Sequence, residues 1–261
     1  MRVRSQKMME QVSHSVQDAL KHGFYALRDL VVPPTCLMCD TLVYESGGCC
    51  TECWRKTRFI SRPFCEVYGT PFSYDLGEGA LSADAIANPP AFRKVRSAVF
   101  YDEAIISLVS GLKYSDRLDL APWMANWMLR AGRESFQENP IIIPIPLYKT
   151  RLLARKFNQA AELARNIGKK KKLEYAPHLL VRLKKTKQQV GLSREERLNN
   201  MVGAFKVPKE LAVQLKGRSI LLVDDVYTTG ATVSAATHAL QKAGSGPVDV
   251  LTFARVETFI E

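Results

Sequence analysis

Long apolar runs are missing from this chain. None approaches the ~18 residues that a membrane-crossing helix needs, so no span is expected. The basic residues at the N-terminus are followed by no uninterrupted apolar stretch. No secretory signal is therefore expected, and the cytoplasm is the expected compartment. Histidine is scarce: four residues, dispersed, suggesting neither a catalytic base nor a metal ligand. There is no G-x-x-x-x-G-K-[ST] loop, which excludes a Walker-type nucleotide site. No internal repeat is legible. Acidic residues are also in deficit, 26 against 37 Lys and Arg, for a net charge of +11. That balance favours a polyanionic partner, either nucleic acid or a phosphate-rich metabolite.

What is present is a chain of 261 residues with 46% apolar content. That is enough for one or two domains with a real core, and too apolar for disorder. Six cysteines occur, and five crowd together: Cys36, Cys39, Cys49, Cys50 and Cys53, with Cys65 just after. Cys36-Leu-Met-Cys39 and Cys50-Thr-Glu-Cys53 form two C-x-x-C turns. Each turn can aim two thiolates at one ion, and two turns complete a tetrahedral zinc site. With four protein ligands such a site is structural. Cys49 stands next to Cys50 and can serve in its place.

Residues 5–31 carry Val12, Val16, Leu20, Leu27 and Val31 at helical spacing, and Pro33-Pro34 stops that helix. Residues 62–92 are rich in Pro, Gly and Ala without a clear period, and are expected to be irregular. They suggest a border between an N-terminal module, 1–92, and a second domain, 93–261. From Arg93 onward strands alternate with helices: strands at 97–101, 141–146, 219–223 and 248–255, helices at 102–114, 120–132, 158–168 and 230–244. Alternation of this kind predicts an α/β fold, a parallel sheet with flanking helices. The run Lys169–Lys172 is expected to be a solvated loop.

One stretch, "SILLVDDVYTTGATV", carries the chemistry. Four apolar residues run into Asp224 and Asp225, and small hydroxyl residues follow. A phosphorelay receiver also has an acidic pair after a strand. It needs a phospho-accepting aspartate two strands further on, and the remaining chain is too short for that. A 5-phosphoribosyl group fits instead. The carboxylates accept from ribose hydroxyls. Tyr227, Thr228, Thr229, Gly230, Ala231 and Thr232 lead into a helix N-terminus, whose unpaired N–H groups can hold a phosphate. A carboxylate ~7 Å from a phosphate costs ~2.4 kcal/mol at an effective dielectric of ~20. A divalent cation reverses that sign, so the reading implies Mg²⁺ brought by a diphosphate.

The stretch resembles the 5-phosphoribosyl-1-diphosphate (PRPP) signature of type I phosphoribosyltransferases. The paired cysteines, "GLKYSDRLDLAP", "IPIPLYKTRLLARKFNQAAELA" and "QQVGLSREERLNNMVGAF" are similar to ComF-type competence proteins over almost the whole chain. The resemblance implies that Asp224 and Asp225 contact ribose hydroxyls and that the loop 228–232 holds the 5′-phosphate. It places "IPIPLYKTR" where phosphoribosyltransferases bind diphosphate, so Lys149 and Arg151 are expected to meet it, with help from Arg155. Ile145-Pro146 is a candidate cis bond. "QQVGLSREER" sits where those enzymes carry a mobile lid. Gly191 is the expected hinge, Ser193 and Glu196 a capping box, and Arg194 and Arg197 share one helix face. Lys113 and Tyr114 are expected to face the cleft. Family members often carry further cysteine pairs. Here Cys65 is followed by Tyr68, Ser82 and Ala85, so a second metal knuckle is not expected.

Two functions of different class remain open. The first is Mg²⁺-dependent transfer of a phosphoribosyl group from PRPP to an unidentified acceptor, with release of diphosphate. The second is an accessory role in DNA uptake or processing, with single-stranded DNA as a partner. The basic residues Lys169–Lys172, Lys184, Lys185 and Lys187 suit it, although few aromatics interleave them. A pocket that only senses PRPP is a third possibility.

Overall fold

The structure is a computed structural model, and it describes residues 33–45, 47–114, 117–184 and 201–257. The expected helix over 5–31 lies outside these residues. So do Gly191, Ser193, Glu196, Arg194, Arg197, Lys185 and Lys187. The chain forms two compact units that divide between Trp54 and Arg55. Residues 55–92, expected with the N-terminal module, belong to the second unit.

In the second unit, β1 (Lys94–Phe100), β2 (Ile141–Pro144), β5 (Ile220–Tyr227) and β6 (Val248–Arg255) form one sheet. The order is β1-β6-β5-β2 and every pairing is parallel. Parallel strands need crossover helices, and these cover both faces. They are α3 (Glu103–Tyr114), α4 (Leu120–Ala131), α6 (Gln159–Lys171) and α7 (Ala231–Lys242); the short α5 (Lys149–Arg155), between α4 and α6, buries none of its residues. A two-stranded antiparallel pair, β3 (Val181–Arg182) with β4 (Phe205–Lys206), stands apart from the sheet. Earlier in the chain come two short helices, α1 (Thr51–Lys56) and α2 (Ala83–Ala87).

Strand side chains alternate between the two faces. Ile220, Leu222, Val248 and Val250 join Val233, Ala236 and Leu240 of α7 in one core. On the other face, Phe253 stacks on Trp127 of α4 with ring centroids 6.0 Å apart. Helix α6 buries Ala160, Leu163, Ala164 and Ile167, an i, i+3, i+4, i+7 stripe. Each fully buried Leu or Ile contributes roughly 1.5–3 kcal/mol, so this two-faced core dominates the unit's stability.

Four expectations change. Strand β5 does not stop before the aspartates. It runs through them to Tyr227, because the ladder to β6 continues from Asp224 opposite Thr252 to Tyr227 opposite Arg255. Lys169–Lys171 are the last turn of α6, not a loop; cations are favourable at a helix C-terminus, and Lys172 ends the helix at φ 56°. Lys149–Arg155 form a short helix where a basic loop is expected. The Ile145–Pro146 bond is trans; the cis bond among the described residues is Arg62–Pro63.

Candidate functional sites: a thiolate centre and an acidic strand end

The cysteine turns close as their spacing predicts. The sulfurs of Cys36, Cys39, Cys50 and Cys53 all lie within 4.8 Å of one another, and those of Cys39 and Cys50 are 3.6 Å apart. Zinc–sulfur bonds of about 2.3 Å in a tetrahedron require sulfurs about 3.8 Å apart, so one ion fits. Backbone N–H groups already face the ligands. Met38 N and Cys50 N donate to Cys36 Sγ at 3.4 and 3.3 Å, and Cys53 N donates to Cys50 Sγ at 3.4 Å. Burial opposes charge on Cys36, but these donors bring its thiol down to about 6. Cys49 is not in the cluster. It contacts Met38 Sδ at 3.3 Å, and burial pushes its thiol up to about 12. The choice between Cys49 and Cys50 therefore falls on Cys50.

A second ribbon follows the first, and its backbone repeats it bond by bond. Cys36 N donates to Thr41 O at 2.7 Å, and Cys65 N to Thr70 O at 2.8 Å. Asp40 N donates to Cys36 O, and Gly69 N to Cys65 O. Leu37 N meets Gly48 O, and Glu66 N meets Ala80 O. Trp54 N meets Cys50 O, and Ile86 N meets Ser82 O. Asp40 and Gly69 share the left-handed turn, at φ 58° and 60°. The four ligand positions of this second copy hold Cys65, Tyr68, Ser82 and Ala85. Three of the four are not thiols, so the metal site is gone, as the sequence suggests. Sequence reading finds no repeat because only one ligand in four survives. The irregular segment expected over 62–92 is this ordered ribbon.

At the other site, β5 presents Asp224 and Asp225 at the carboxyl edge of the sheet. Lys113, at the end of α3, pairs with Asp225 at 2.9 Å. Burial works against the ammonium, but Asp225 and then Asp224 outweigh it and raise its pKa. Asp224 is pushed well above the usual carboxylate range, first by burial and then by the charge of Asp225. Beyond them the chain turns at Gly230, φ 79°, the residue that precedes α7. A Cβ there would lie 2.5 Å from the Tyr227 hydroxyl, so only glycine fits. Gly230 has no side chain with which to cap α7. The buried Thr229 Oγ1 meets no hydrogen-bond partner among the described residues. An orphaned hydroxyl beside an uncapped helix start is costly unless something accepts from it.

Two residues near this edge are missed by sequence reasoning. Arg182 on β3 feels both Arg151 and Asp224. Burial, then Arg151, lowers its pKa, and Asp224 partly offsets them. An arginine set in "LLVRL" is the available signal. Gln159 opens α6 beside the end of β2, where Asn158 Nδ2 donates to Ile145 O at 3.0 Å. Its Nε2 is buried with no hydrogen-bond partner among the described residues, while Arg155 donates to its Oε1 at 3.2 Å. Arg155 is thus bonded within its own segment. Lys149 is exposed at the start of α5, and Arg151 is half-buried.

Similarity to known proteins agrees with the thiolate centre. A family model for double zinc ribbon domains matches residues 27–86. Over 232 residues the chain is 29% identical to DNA utilization protein YhgH of Shigella flexneri, covering 87% of this chain and 99% of that one. Competence protein F of Haemophilus influenzae is 27% identical, covering 84% and 96%. Competence protein ComFC of Bacillus subtilis is 27% identical, covering 80% and 89%. The chain is thus similar over most of its length to proteins named for competence and DNA utilization. The first ribbon keeps the four cysteines of a structural zinc site. The second ribbon of the matched pair does not. The parallel sheet with flanking helices is consistent with a phosphoribosyltransferase-like fold. No helix among the described residues is long and apolar enough to cross a membrane.

Proposed function

We propose that the second unit binds PRPP with Mg²⁺ and transfers its phosphoribosyl group to an acceptor, releasing diphosphate. The observation that carries this reading is the orphaned Thr229 hydroxyl at the uncapped start of α7, immediately after an acidic pair. A 5′-phosphate there would accept from Thr229 Oγ1 and from the N–H groups of the first turn. Each charge-assisted bond is worth about 1.5–3 kcal/mol. Asp224 and Asp225 would accept from the ribose hydroxyls, and Asp225 is already oriented by Lys113. Mg²⁺ carried on the diphosphate would screen its charge from the aspartates. Arg151 and Arg182 are close enough to feel each other's charge and would serve the diphosphate side, with Lys149 beside them. Arg194 and Arg197 are proposed for a lid. In the transfer a nucleophilic nitrogen forms a bond to C1 as the C1–O bond breaks. The electron pair leaves on diphosphate, and the nitrogen's proton passes to water.

Calorimetry with Mg·PRPP tests this reading. Wild type should bind saturably, and Asp224→Asn with Asp225→Asn should weaken binding at least about a hundredfold, two lost charged contacts. Unchanged binding by the double variant would remove the reading. Diphosphate release across a panel of nitrogenous acceptors then separates an enzyme from a sensor.

A second reading is an accessory role on DNA. It is favoured by the relatives, named for DNA utilization and competence, and by the net charge of +11. Single-stranded DNA binding with a steep salt slope would support it. Binding indifferent to salt, or none, would remove it.

A further inference from the structure

The second ribbon keeps one thiol, Cys65, which no metal claims. It is fully buried, and its sulfur is met by donors. Ser82 N donates to Cys65 Sγ at 3.3 Å, Tyr68 N at 3.4 Å and the Ser82 hydroxyl at 3.4 Å. The first of these repeats the 3.3 Å bond from Cys50 N to Cys36 Sγ at the equivalent place in the first ribbon. Among the described residues no acceptor takes a proton from Cys65. A neutral thiol has one proton to give and would bury it there unbonded, whereas a thiolate only accepts.

The cation for such an anion arrives from the sheet. Arg255, near the end of β6, is 4% exposed, and no carboxylate pairs with it among the described residues. It donates to the Tyr68 carbonyl at 2.6 Å and to Thr70 Oγ1 at 3.0 Å. Both acceptors lie in the turn that Cys65 closes, through Cys65 N to Thr70 O and Gly69 N to Cys65 O. A guanidinium left without an anion in the interior is costly. Burial lowers the pKa of Arg255, and the two groups that oppose this are Tyr227 and Cys65. Tyr227 offers the face of its ring, 5.5 Å from the guanidinium, and Cys65 is the group that can carry a full charge. Burial likewise works against charge on Cys65, but the donors from Ser82, Tyr68 and Val67 outweigh it and bring the thiol below its ordinary value. The other charged groups around this turn are paired among themselves. Glu66 meets Arg62 and Arg96, and Arg96 also meets Glu134 at 2.7 Å. The Tyr68 hydroxyl is spent on the Asn88 carbonyl. On its remaining side Arg255 borders a cavity of about 600 Å³.

We infer that Cys65 is a buried thiolate with Arg255 as its counter-ion, and that this pair fastens the second ribbon to β6 as a metal fastens the first. The ribbon has kept its anionic sulfur and exchanged an ion for a guanidinium. The exchange makes the fastening sensitive to pH. Arginine does not give up its proton, so protonating Cys65 leaves a buried cation unanswered and loosens the ribbon from the strand. The inference is independent of what the acidic strand end binds.

The test uses the full chain with zinc bound, and compares wild type with Cys65→Ser, Arg255→Lys and Arg255→Met. Thiolate absorbance in the far ultraviolet is followed against pH, and the Cys65→Ser trace is subtracted to isolate one sulfur. Cys65 should become charged well below the ordinary thiol value of about 8.5. Arg255→Lys should keep that behaviour, and Arg255→Met should move the titration up by at least about one pH unit. The nitrogen resonance of the Arg255 side chain in wild type should shift with the same midpoint. Urea unfolding supplies a further readout. The folded chain holds the Cys65 charge at a lower pH than the unfolded chain does. Wild type should therefore gain stability over Cys65→Ser as pH rises from the folded value to the ordinary thiol value, and lose that advantage as pH falls. Above that interval, Cys65→Ser with Arg255→Met should cost less than the two changes apart, by about tenfold in the folding constant. A Cys65 that titrates at or above the ordinary value overturns the inference. So does a low value that Arg255→Met leaves in place. Should Arg255→Met not fold, an Arg255 resonance indifferent to the Cys65 titration overturns it instead.

Discussion

The two ribbons of this chain solve one backbone problem in two ways. Both fold the same knuckles, with matching turns at Asp40 and Gly69 and matching bonds from Cys36 and Cys65. The first gathers four sulfurs around one point and can be closed by a metal. The second fills that point with side chains. Cys65, Tyr68 and Ala85 belong to the buried cluster that also holds Phe92, Val95 and Val250. Tyr68 reaches the Asn88 carbonyl at 2.7 Å and sets its ring edge-on to Phe92 at 6.1 Å. Ser82 Oγ bridges to Cys65 Sγ at 3.4 Å. The second ribbon is also tied to the sheet, through Val95 N to Val67 O and Arg96 to Glu66. A knuckle with a sheet to rest on does not need an ion. One built on turns, with no buried residue in its helix α1, does.

The largest effect should come from removing the metal. Structural zinc is worth roughly 10–16 kcal/mol to a small ribbon. Cys36→Ser with Cys39→Ser should take bound zinc from about one per chain to none. Hydrogen exchange should then collapse over 33–54, while protection in β5 and β6 persists. Loss of protection throughout the sheet would show that the units do not stand on separate supports.

Restoring the lost ligands sharpens the comparison next. Tyr68→Cys, Ser82→Cys and Ala85→Cys together should raise zinc to about two per chain, since the N–H groups of Tyr68 and Ser82 already face Cys65 Sγ. Metal analysis that stays at one would mean the shared backbone alone does not position four sulfurs.

Tyr68→Ala should cost about 3–5 kcal/mol, the usual range for deleting a buried ring, read by denaturant unfolding. A loss below about 1 kcal/mol would mean the ring is not what replaces the metal.

The smallest effect concerns pH. Zinc binding needs the thiols deprotonated, so the first ribbon weakens as pH falls. Asp224 acts oppositely. Its folded pKa is raised, so the folded state keeps a proton that the unfolded chain has released. The second unit therefore loses stability as pH rises from the usual carboxylate range to that raised value. Asp224→Asn should flatten this slope and raise the melting temperature at neutral pH while weakening Mg·PRPP. A melting temperature that falls at neutral pH would contradict the sign.

Much of this was legible from residues in a row. The C-x-x-C spacing named its four ligands because the ligands of a knuckle lie close in sequence. The alternation of apolar strands with amphipathic helices named a parallel sheet, because periodicity is local. The acidic pair and T-T-G-x-T named a candidate site, because strand, turn and helix start are contiguous. Other features were not legible. Lys113 meets Asp225, and Arg182 comes within reach of the charges of Arg151 and Asp224, only because distant segments arrive at one sheet edge. Arg255 looks like the polar end of a strand and proves to be a buried cation against a cavity. The second ribbon escaped because three of its four ligand positions had changed while its hydrogen bonds had not. The sequence by itself determined the local chemistry: the thiolate pairs, the acidic strand, the glycine turn. Tertiary structure alone decided which charges share a space and which knuckle can do without its ion. Those outcomes depend on burial and on long-range pairing, which no short stretch encodes.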